Sequence, residues 1–313
     1  MNDAPDLAIP QALGVEMRRD VLLAPLTTMK VGGPADYFVT AATVEQLQGL
    51  VAWCHAVRLP YFVLGGGSNI LISDRGVRGL VIDNRCRQVR VEEQENRWLL
   101  IAESGAAMAG AARTSVRSGL RGLAWAVSVP GTVGGAVVGN AGAHGGEIKD
   151  VLFHALVMDE EGVARRMSVD DLDYAYRESA LKRKRPLQAG FKPVVLKAVF
   201  LLEQAPPEAV KRESDDYLAH RRRTQPAEPS LGSTFVNPPG DYAGRLIEAA
   251  GLMGAKVGGA EVSRVHANFI VNPGGVGGAT AQDVLDLIHL IQTAVKEKFG
   301  VELEREIQLA GDW

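Results

Sequence analysis

Two glycine-rich segments could bind a ligand through their backbone N–H groups rather than through side chains. The first, LGGGSN (residues 64–69), follows an apolar run, and the second is VPGTVGGAVVGNAGAHGGEI (residues 129–148). Dense glycine costs backbone entropy but permits close approach to a ligand, and converging N–H groups bind phosphate oxygens. Neither the G-x-G-x-x-G of a Rossmann turn nor the Gly-Lys of a P-loop is present at these points.

One such loop alone is explained equally well by an ordinary tight turn. Two in one chain favour a long ligand held between them, and neither segment carries a pair of carboxylates that would hold a metal ion. We therefore predict a pyrophosphate-containing dinucleotide that is bound without a metal.

The composition excludes several other classes of protein. The 313 residues carry a net charge of −3, which gives no reason to expect a nucleic acid or an anionic membrane as partner. The basic runs 182–185 and 221–223 are short and typical of solvated faces or of contacts to small anions, rather than of a groove for a polynucleotide. Cys54 and Cys86 are too few for a disulfide framework or a cysteine-based zinc site, and Cys54 lies in an apolar run typical of a buried, inert thiol.

Two further segments bear on whether the protein is secreted, membrane-bound or cytoplasmic. The N-terminus has acidic residues and no long apolar run, so we expect no signal peptide. Residues 123–143 are apolar but contain five glycines and a proline, which favours a buried loop region over a membrane helix. We expect a soluble, cytoplasmic protein.

The order of predicted elements indicates an α+β fold. Strands are predicted at 37–40, 61–64, 79–83, 89–91, 98–102, 152–158, 163–167, 194–202 and 303–309, and helices at 43–58, 106–118, 206–220 and 281–299, with strand, turn and helix over 231–251. The proline-rich stretch at 205–228 favours a boundary. We predict a first domain over residues 1–205, in two subdomains (1–82 and 83–205), and a second over 206–313, whose last strand can return to the first.

Several motifs together resemble one family. VGGPADYFV (31–39), LGGGSNILISDRG (64–76) and PGTVGGA (130–136) resemble the FAD-binding domain of the vanillyl-alcohol-oxidase type. YAYRES (174–179), GSTFVNP (232–238), AGRLIEAAGLMG (243–254), VSRVHANFIVN (262–272) and VELEREI (301–307) are similar to the UDP-N-acetylenolpyruvoylglucosamine reductases, the MurB family. The second domain would then be the substrate-binding domain of that family.

The family comes in two forms. The longer form has an inserted loop, between its arginine and serine motifs, that covers the substrate and supplies a tyrosine. No such insertion is evident between Arg177 and Ser233, so the chain resembles the shorter, second form.

The resemblance implies the reduction of a vinyl ether. In the family, NADPH reduces a non-covalently bound FAD and leaves, and UDP-N-acetylglucosamine enolpyruvate then enters the same cleft. Hydride passes from the flavin N5 to C3 of the enolpyruvyl group, C2 is protonated, and UDP-N-acetylmuramate is released for peptidoglycan synthesis. No obligate protein partner is implied.

The resemblance also assigns residues. Ser233 matches the proton donor, and Arg177 and Glu306 match the groups that stabilise the enolate. By spacing alone they would be a turn serine, a surface arginine and a solvent-facing glutamate. The implied FAD-binding residues are Lys30, Val31, Gly32, Gly33, Gly65, Gly66, Gly67, Ser68, Asn69, Pro130, Gly131, Thr132, Gly134 and Gly135, and the implied substrate-binding residues are Tyr176, Arg223, Asn237 and Asn268. His144 is interpreted as a loop residue rather than a covalent flavin anchor.

Two other functions stay open. A second FAD enzyme on the same N-terminal fold, oxidising an alcohol or a sugar, would explain the glycine segments but not residues 232–238 or 262–272. A nucleotide-sugar-binding protein without catalysis would not need Arg177, Ser233 and Glu306 together.

Overall fold

The computed structural model describes residues 8–183 and 191–313. Its α-helices are α1 (Val44–Val57), α2 (Met108–Arg117), α3 (Val133–Gly139), α4 (Val169–Leu172), α5 (Ala180–Arg183), α6 (Pro207–Thr224), α7 (Ala243–Ala249) and α8 (Ala281–Phe299). Its strands are β1 (Arg18–Leu22), β2 (Pro34–Ala41), β3 (Tyr61–Leu64), β4 (Ile70–Ile72), β5 (Val77–Asn84), β6 (Val89–Gln94), β7 (Arg97–Glu103), β8 (Leu120–Arg121), β9 (Gly142–Ala143), β10 (Gly146–Glu147), β11 (Leu152–Met158), β12 (Ala164–Met167), β13 (Val194–Gln204), β14 (Lys256–Val257), β15 (Ala260–Val262), β16 (Ile270–Val271) and β17 (Gln308–Ala310).

The first sheet has the strand order β1-β2-β5-β3, in which β2, β5 and β3 are parallel and β1 is antiparallel. Helix α1 connects β2 to β3 and begins at the predicted capping box, in which the Thr43 hydroxyl accepts from the N–H of Gln46. The carboxyl end of β3 leads directly into Gly65, so the first glycine segment lies at the edge where ligands of parallel sheets usually bind.

The second sheet is antiparallel, with the order β12-β11-β13-β7-β6 and β8 paired to the end of β13. Helices α2 and α3 pack on this sheet, and α6 packs on α2 and on the 3-10 turn Ala124–Ser128. The second glycine segment supplies α3, which is buried against β13. This packing brings the second glycine segment to the same side of the molecule as the first.

The C-terminal part packs α8 on α7 and on the small sheet β14-β15-β16. The apolar stripe predicted for α8 is confirmed, because Val284, Leu287, Ile288, Ile291 and Val295 are all buried. The chain then returns to the N-terminal half, where β17 pairs with β4 just after the first glycine segment.

The predicted strand at 303–309 is wrong over most of its length. The segment first pairs with the Ser233 region, through the bonds Val236 N to Glu304 O and Glu306 N to Thr234 O, and only at Gln308 does it join β4. The change of partner within five residues prevents one continuous ladder, so the strand begins at Gln308.

The apolar segment 123–143 is only partly a loop, contrary to the prediction. It contains the 3-10 turn Ala124–Ser128 and helix α3, whose first turn is capped by the Thr132 hydroxyl. Burial of Val133, Val137 and Val138 in the core outweighs the low helix propensity of the glycines around them.

Both cysteines are buried, and burial raises the pKa of each thiol to about 12. The interpretation of Cys54 as a buried, inert thiol is confirmed, because such a thiol does not ionise near neutral pH.

Candidate active site

An open cleft with about 1470 Å³ of empty space lies between the glycine segments and the C-terminal part. That space includes a part open to solvent, and both glycine segments border it, so an extended ligand can lie along the cleft. The predicted residues on its walls are Gly65, Gly66, Gly67, Ser68, Asn69, Pro130, Gly131, Thr132, Gly134 and Gly135, together with Arg177, Ser233 and Glu306.

The two glycine segments touch each other as well as the cleft. A Cβ on Gly65 would lie 2.5 Å from Oγ1 of Thr132, and a Cβ on Gly66 would lie 2.8 Å from the Cα of Gly131. Gly131 itself has a φ of +96° and approaches the hydroxyl of Ser68. Part of the glycine content is therefore required by contact between the loops, a reason that the sequence analysis did not consider.

Arg177 joins the second glycine segment to the C-terminal segment. Its Nη2 donates to the carbonyl of Gly142 at 2.6 Å, its Nη1 donates to the carbonyl of Asn140 at 3.4 Å, and its Nε lies 3.1 Å from Oε1 of Glu306. The Arg177 side chain is about four-fifths buried and arginine keeps its charge, so it places a fixed cation in the wall of the cleft.

Glu306 lies beside the Ser233 segment because its N–H donates to the carbonyl of Thr234 at 2.9 Å. Burial raises the pKa of the Glu306 carboxyl above its usual value, while the positive charges of Arg177 and then Lys182 act to lower it. A buried carboxyl with a raised pKa beside a cation in a cleft is typical of a functional site.

Ser233 presents a free hydroxyl to the cleft. The preceding Gly232 has a φ of +77°, and no protein atom lies within 4 Å of a Cβ built there, so the turn needs glycine for its conformation rather than for space. Within residues 8–183 and 191–313, no group hydrogen-bonds the Ser233 hydroxyl, which leaves it available to a ligand.

Arg221 and Gln225 also line the cleft, although the sequence shows Arg221 only as part of a basic run and offers no sign of Gln225. Arg221 donates to the carbonyl of Ser128, has no acidic partner among the described residues, and has its pKa lowered by burial. The side-chain oxygen of Gln225 is buried without a partner in the described part of the chain. The predicted Arg223 is exposed instead. Helical spacing from the buried Val210 would have favoured position 221, had the helix been predicted beyond residue 220.

The predicted substrate-binding residues Tyr176, Arg223, Asn237 and Asn268 do not line the cleft. Asn237 is exposed and accepts from the first N–H of α7. Asn268 is buried and bonds both backbone groups of Phe235, so it holds the Ser233 segment in place. Tyr176 is 47% exposed, and its ring lies 5.2 Å from the guanidinium carbon of Arg177.

Lys30, Val31, Gly32 and Gly33 also lie outside the walls of the cleft. Lys30 donates through its ammonium group to the carbonyl of Pro25, and a Cβ on Gly33 would lie 2.0 Å from the carbonyl of Asp74. The neighbouring Thr28 hydroxyl bonds the carbonyls of Gly67 and Ser230. This segment supports the first glycine segment from behind.

His144 lies in the β9–β10 turn, stacked on Tyr217 with ring centroids 4.4 Å apart. Among residues 8–183 and 191–313, no three His, Cys, Asp or Glu side chains are grouped so that they could ligate a metal ion. The helices in this described part are too short or too polar to cross a membrane.

Comparison with known proteins decides the family. Residues 35–168 match the FAD-binding domain model, and residues 225–310 match the C-terminal domain of UDP-N-acetylenolpyruvoylglucosamine reductase. The reductase of Clostridium novyi is 43% identical over 95% of this chain and 93% of its own length, and that of Listeria monocytogenes is 41% identical over 93% of each. The chain belongs to the MurB family.

A solved MurB structure agrees with this conclusion. The enzyme of Thermus caldophilus superimposes with a TM-score of 0.77, at 34% identity, over 95% of this chain and 98% of the other. The predicted α+β fold, with an FAD-binding domain and a MurB C-terminal domain, is confirmed. The exact domain limits stay a prediction.

The chain is therefore a flavin-dependent oxidoreductase, and FAD is its cofactor. NADPH is the co-substrate of the family. The cleft fits a dinucleotide, because Gly139 lines it and has no protein atom within 4 Å of the position of a Cβ, and because Gln225 offers an unpartnered acceptor among the described residues. The residues suited to hold the cofactor are those of the two glycine segments.

Two alanine substitutions separate contact between the loops from contact with the cofactor. We expect Gly66→Ala to lower the melting temperature of the apoprotein and the FAD occupancy together, because its Cβ would strike the backbone of Gly131. Gly139→Ala should leave the apoprotein as stable or slightly more so, since alanine favours a helix by about 0.5–1 kcal/mol, and should lower only the occupancy. Circular dichroism and visible absorption measure the two quantities. An unchanged apoprotein melting temperature in Gly66→Ala would contradict the contact between the loops.

Proposed function

We propose that the protein reduces UDP-N-acetylglucosamine enolpyruvate to UDP-N-acetylmuramate with NADPH, a step of peptidoglycan precursor synthesis. The observation that carries this proposal is the meeting of Arg177, Ser233 and Glu306 in the cleft that the glycine segments line. The relatives that bear the name of this reductase match the chain over almost their whole length, which supports the same activity here.

The two glycine segments would hold FAD, and the bound flavin would supply the transfer of two electrons, as a hydride, from NADPH to C3 of the enolpyruvyl group. The protein must then stabilise negative charge at C2 and its carboxylate and supply one proton. Ser233 donates that proton to C2 from its hydroxyl and regains one from solvent. A hydroxyl is a poor acid in water, so the adjoining positive charge is needed to make the transfer favourable.

Arg177 and Glu306 stabilise the charge that builds up. The guanidinium offers a planar set of donors suited to a carboxylate. The Glu306 carboxyl, whose pKa is raised by burial, retains a proton to higher pH than an exposed glutamate and can donate a hydrogen bond to the enolate oxygen. Preformed donors of this kind, aimed at developing charge, are commonly the largest single contribution to catalysis.

NADPH and the nucleotide sugar occupy the same cleft in turn. The catalytic residues and both glycine segments line one continuous space, so the two ligands would compete for the part beside Ser233. An alcohol or sugar oxidase on the same N-terminal fold is the other candidate. The match of residues 225–310 to the reductase C-terminal domain favours the reductase.

The direct test follows the flavin absorption band without oxygen. NADPH should bleach the band, and UDP-N-acetylglucosamine enolpyruvate should then restore it. The same titration with a sugar or an alcohol in place of NADPH should leave the band unchanged. If the bleached band returned only with air, the oxidase would be favoured and the substrate assignment would fail.

We expect Arg221 to bind a phosphate of one of the nucleotide ligands, because it is a half-buried cation without an acidic partner in the described residues. Arg221→Met should raise the KM for the nucleotide sugar or for NADPH by about tenfold to a hundredfold, since a hydrogen bond to a charged group contributes about 1.5–3 kcal/mol. Arg223→Met, two residues along and exposed, is the matched control and should change neither. Steady-state kinetics with each substrate varied separately decides which phosphate is bound. Equal KM values in both variants would exclude this role.

A further inference from the structure

The backbone at Arg177 is held in an unusual conformation. Its φ is +58°, in the left-handed region that non-glycine residues rarely occupy and that persists only when neighbours hold it. Ala175 and Glu178 close the turn around it through two backbone hydrogen bonds of 3.1 Å. The ammonium group of Lys182 donates to the carbonyl of Arg177 at 2.7 Å. Lys182 therefore fixes the peptide that aims the catalytic guanidinium.

Lys182 is itself anchored to the core. Its N–H donates to the hydroxyl of Ser179 at 3.1 Å, and that hydroxyl donates to the carbonyl of Val138 at 2.6 Å. Ser179 is fully buried, and Val138 belongs to α3, in the second glycine segment. The position of Lys182 is thus tied to the wall of the cleft.

Lys182 also acts on Glu306. The two side chains line one groove along residues 302–309, and the positive charge of Lys182 opposes the rise that burial causes in the pKa of Glu306. The other charged side chains of the described residues around Glu306 are Arg177 and Arg221 on the cleft side, and Glu178, Lys296, Glu302, Glu304 and Arg305 along the groove. Of these, Arg177 is the one whose charge adds to that of Lys182 in lowering the pKa of Glu306.

We propose that Lys182 is a positioning residue for the reduction, because it fixes the peptide of Arg177 and supplies the second positive charge for Glu306. The inference rests on the proposed function, in which Arg177 and Glu306 act on the substrate. Lys182 does not line the cleft itself, so its effect reaches the reaction through these two residues.

The test has a readout that is independent of turnover. The Glu306 carboxyl is followed by 13C NMR during a pH titration and is assigned with Glu306→Gln. Lys182→Met should raise the pKa of Glu306, whereas Lys182→Arg, which keeps the charge, should leave it near that of the wild type. In the anaerobic assay, Lys182→Met should keep its FAD and its reduction by NADPH, but slow the reoxidation by substrate by about 10²-fold through misplacement of Arg177.

Arg183→Met is the matched control. It removes a charge from the adjacent position, where Arg183 pairs with Asp173 and Glu178, and it should change neither the titration nor the rates. Should Lys182→Met not fold, Lys182→Gln, which keeps a donor but not the charge, should still raise the pKa of Glu306. A titration of Glu306 that matches the wild type in these folded variants would overturn the proposal, as would equal slowing of both half-reactions.

The failure of the proposed function would be recognised separately. If the wild-type flavin is not reoxidised by the enolpyruvyl substrate, the substrate assignment fails for every variant alike. The NMR titration still decides whether Lys182 controls the protonation of Glu306.

Discussion

Replacing Ser233 with alanine should leave flavin reduction by NADPH at the wild-type rate and slow flavin reoxidation by UDP-N-acetylglucosamine enolpyruvate by about 10²–10⁴-fold, the usual contribution of a positioned proton donor. The hydroxyl has no partner in the described residues, so its loss leaves no buried group unsatisfied and should not change stability. Anaerobic stopped-flow absorption measures the two half-reactions one after the other.

Ser233→Thr is the matched control, because it keeps a hydroxyl on the same backbone. Its reoxidation rate should be higher than that of the alanine variant, but lower than that of the wild type because of the extra methyl group in the cleft. If Ser233→Ala slowed the reductive and the oxidative half-reaction equally, a role in proton transfer would be contradicted. Equal slowing would indicate weaker FAD binding or displacement of the Ser233 segment.

The parts of the fold that depend on local pattern could be predicted from the sequence. The capping box at Thr43 and the stripe from Val284 to Val295 lie in regular elements, where spacing along the chain alone decides which side chains are buried. Glycine content is also a local pattern. It indicates close backbone approach without any knowledge of the neighbouring segments, so the sequence predicts that both glycine segments contact one ligand.

The residues that pattern could not place depend on contacts between distant segments. Alternation put Glu306 on a solvent face, but the segment changes partner from the Ser233 region to β4, and the carboxyl becomes buried beside Arg177. Only the family motif identifies Glu306 as a candidate catalytic residue. The sequence shows Lys182 only as the first residue of a basic run, because its role depends on a hydrogen bond to a strained peptide five residues earlier.

The ion pair between Arg177 and Glu306 can be broken from one side by a single substitution. Arg177→Met should slow reoxidation by about 10²–10³-fold, the cost of removing one preformed donor to a developing oxyanion. It should also raise the pKa of Glu306 further, because the largest opposing charge is removed while burial remains. Stability should then fall as pH rises through that pKa, since ionisation would leave a buried carboxylate without its main partner.

The double variant Arg177→Met/Glu306→Gln separates stability from chemistry. Breaking a fully buried pair costs about 3–5 kcal/mol, and the cost here should be smaller because each side chain is about one-fifth exposed. With no carboxylate left unpaired, the double variant should recover the melting temperature that Arg177→Met loses at high pH, yet its reoxidation should stay slow. Melting curves across pH and stopped-flow rates measure the two effects. If the double variant regained the reoxidation rate together with its stability, Arg177 would act on the fold alone and not on the substrate.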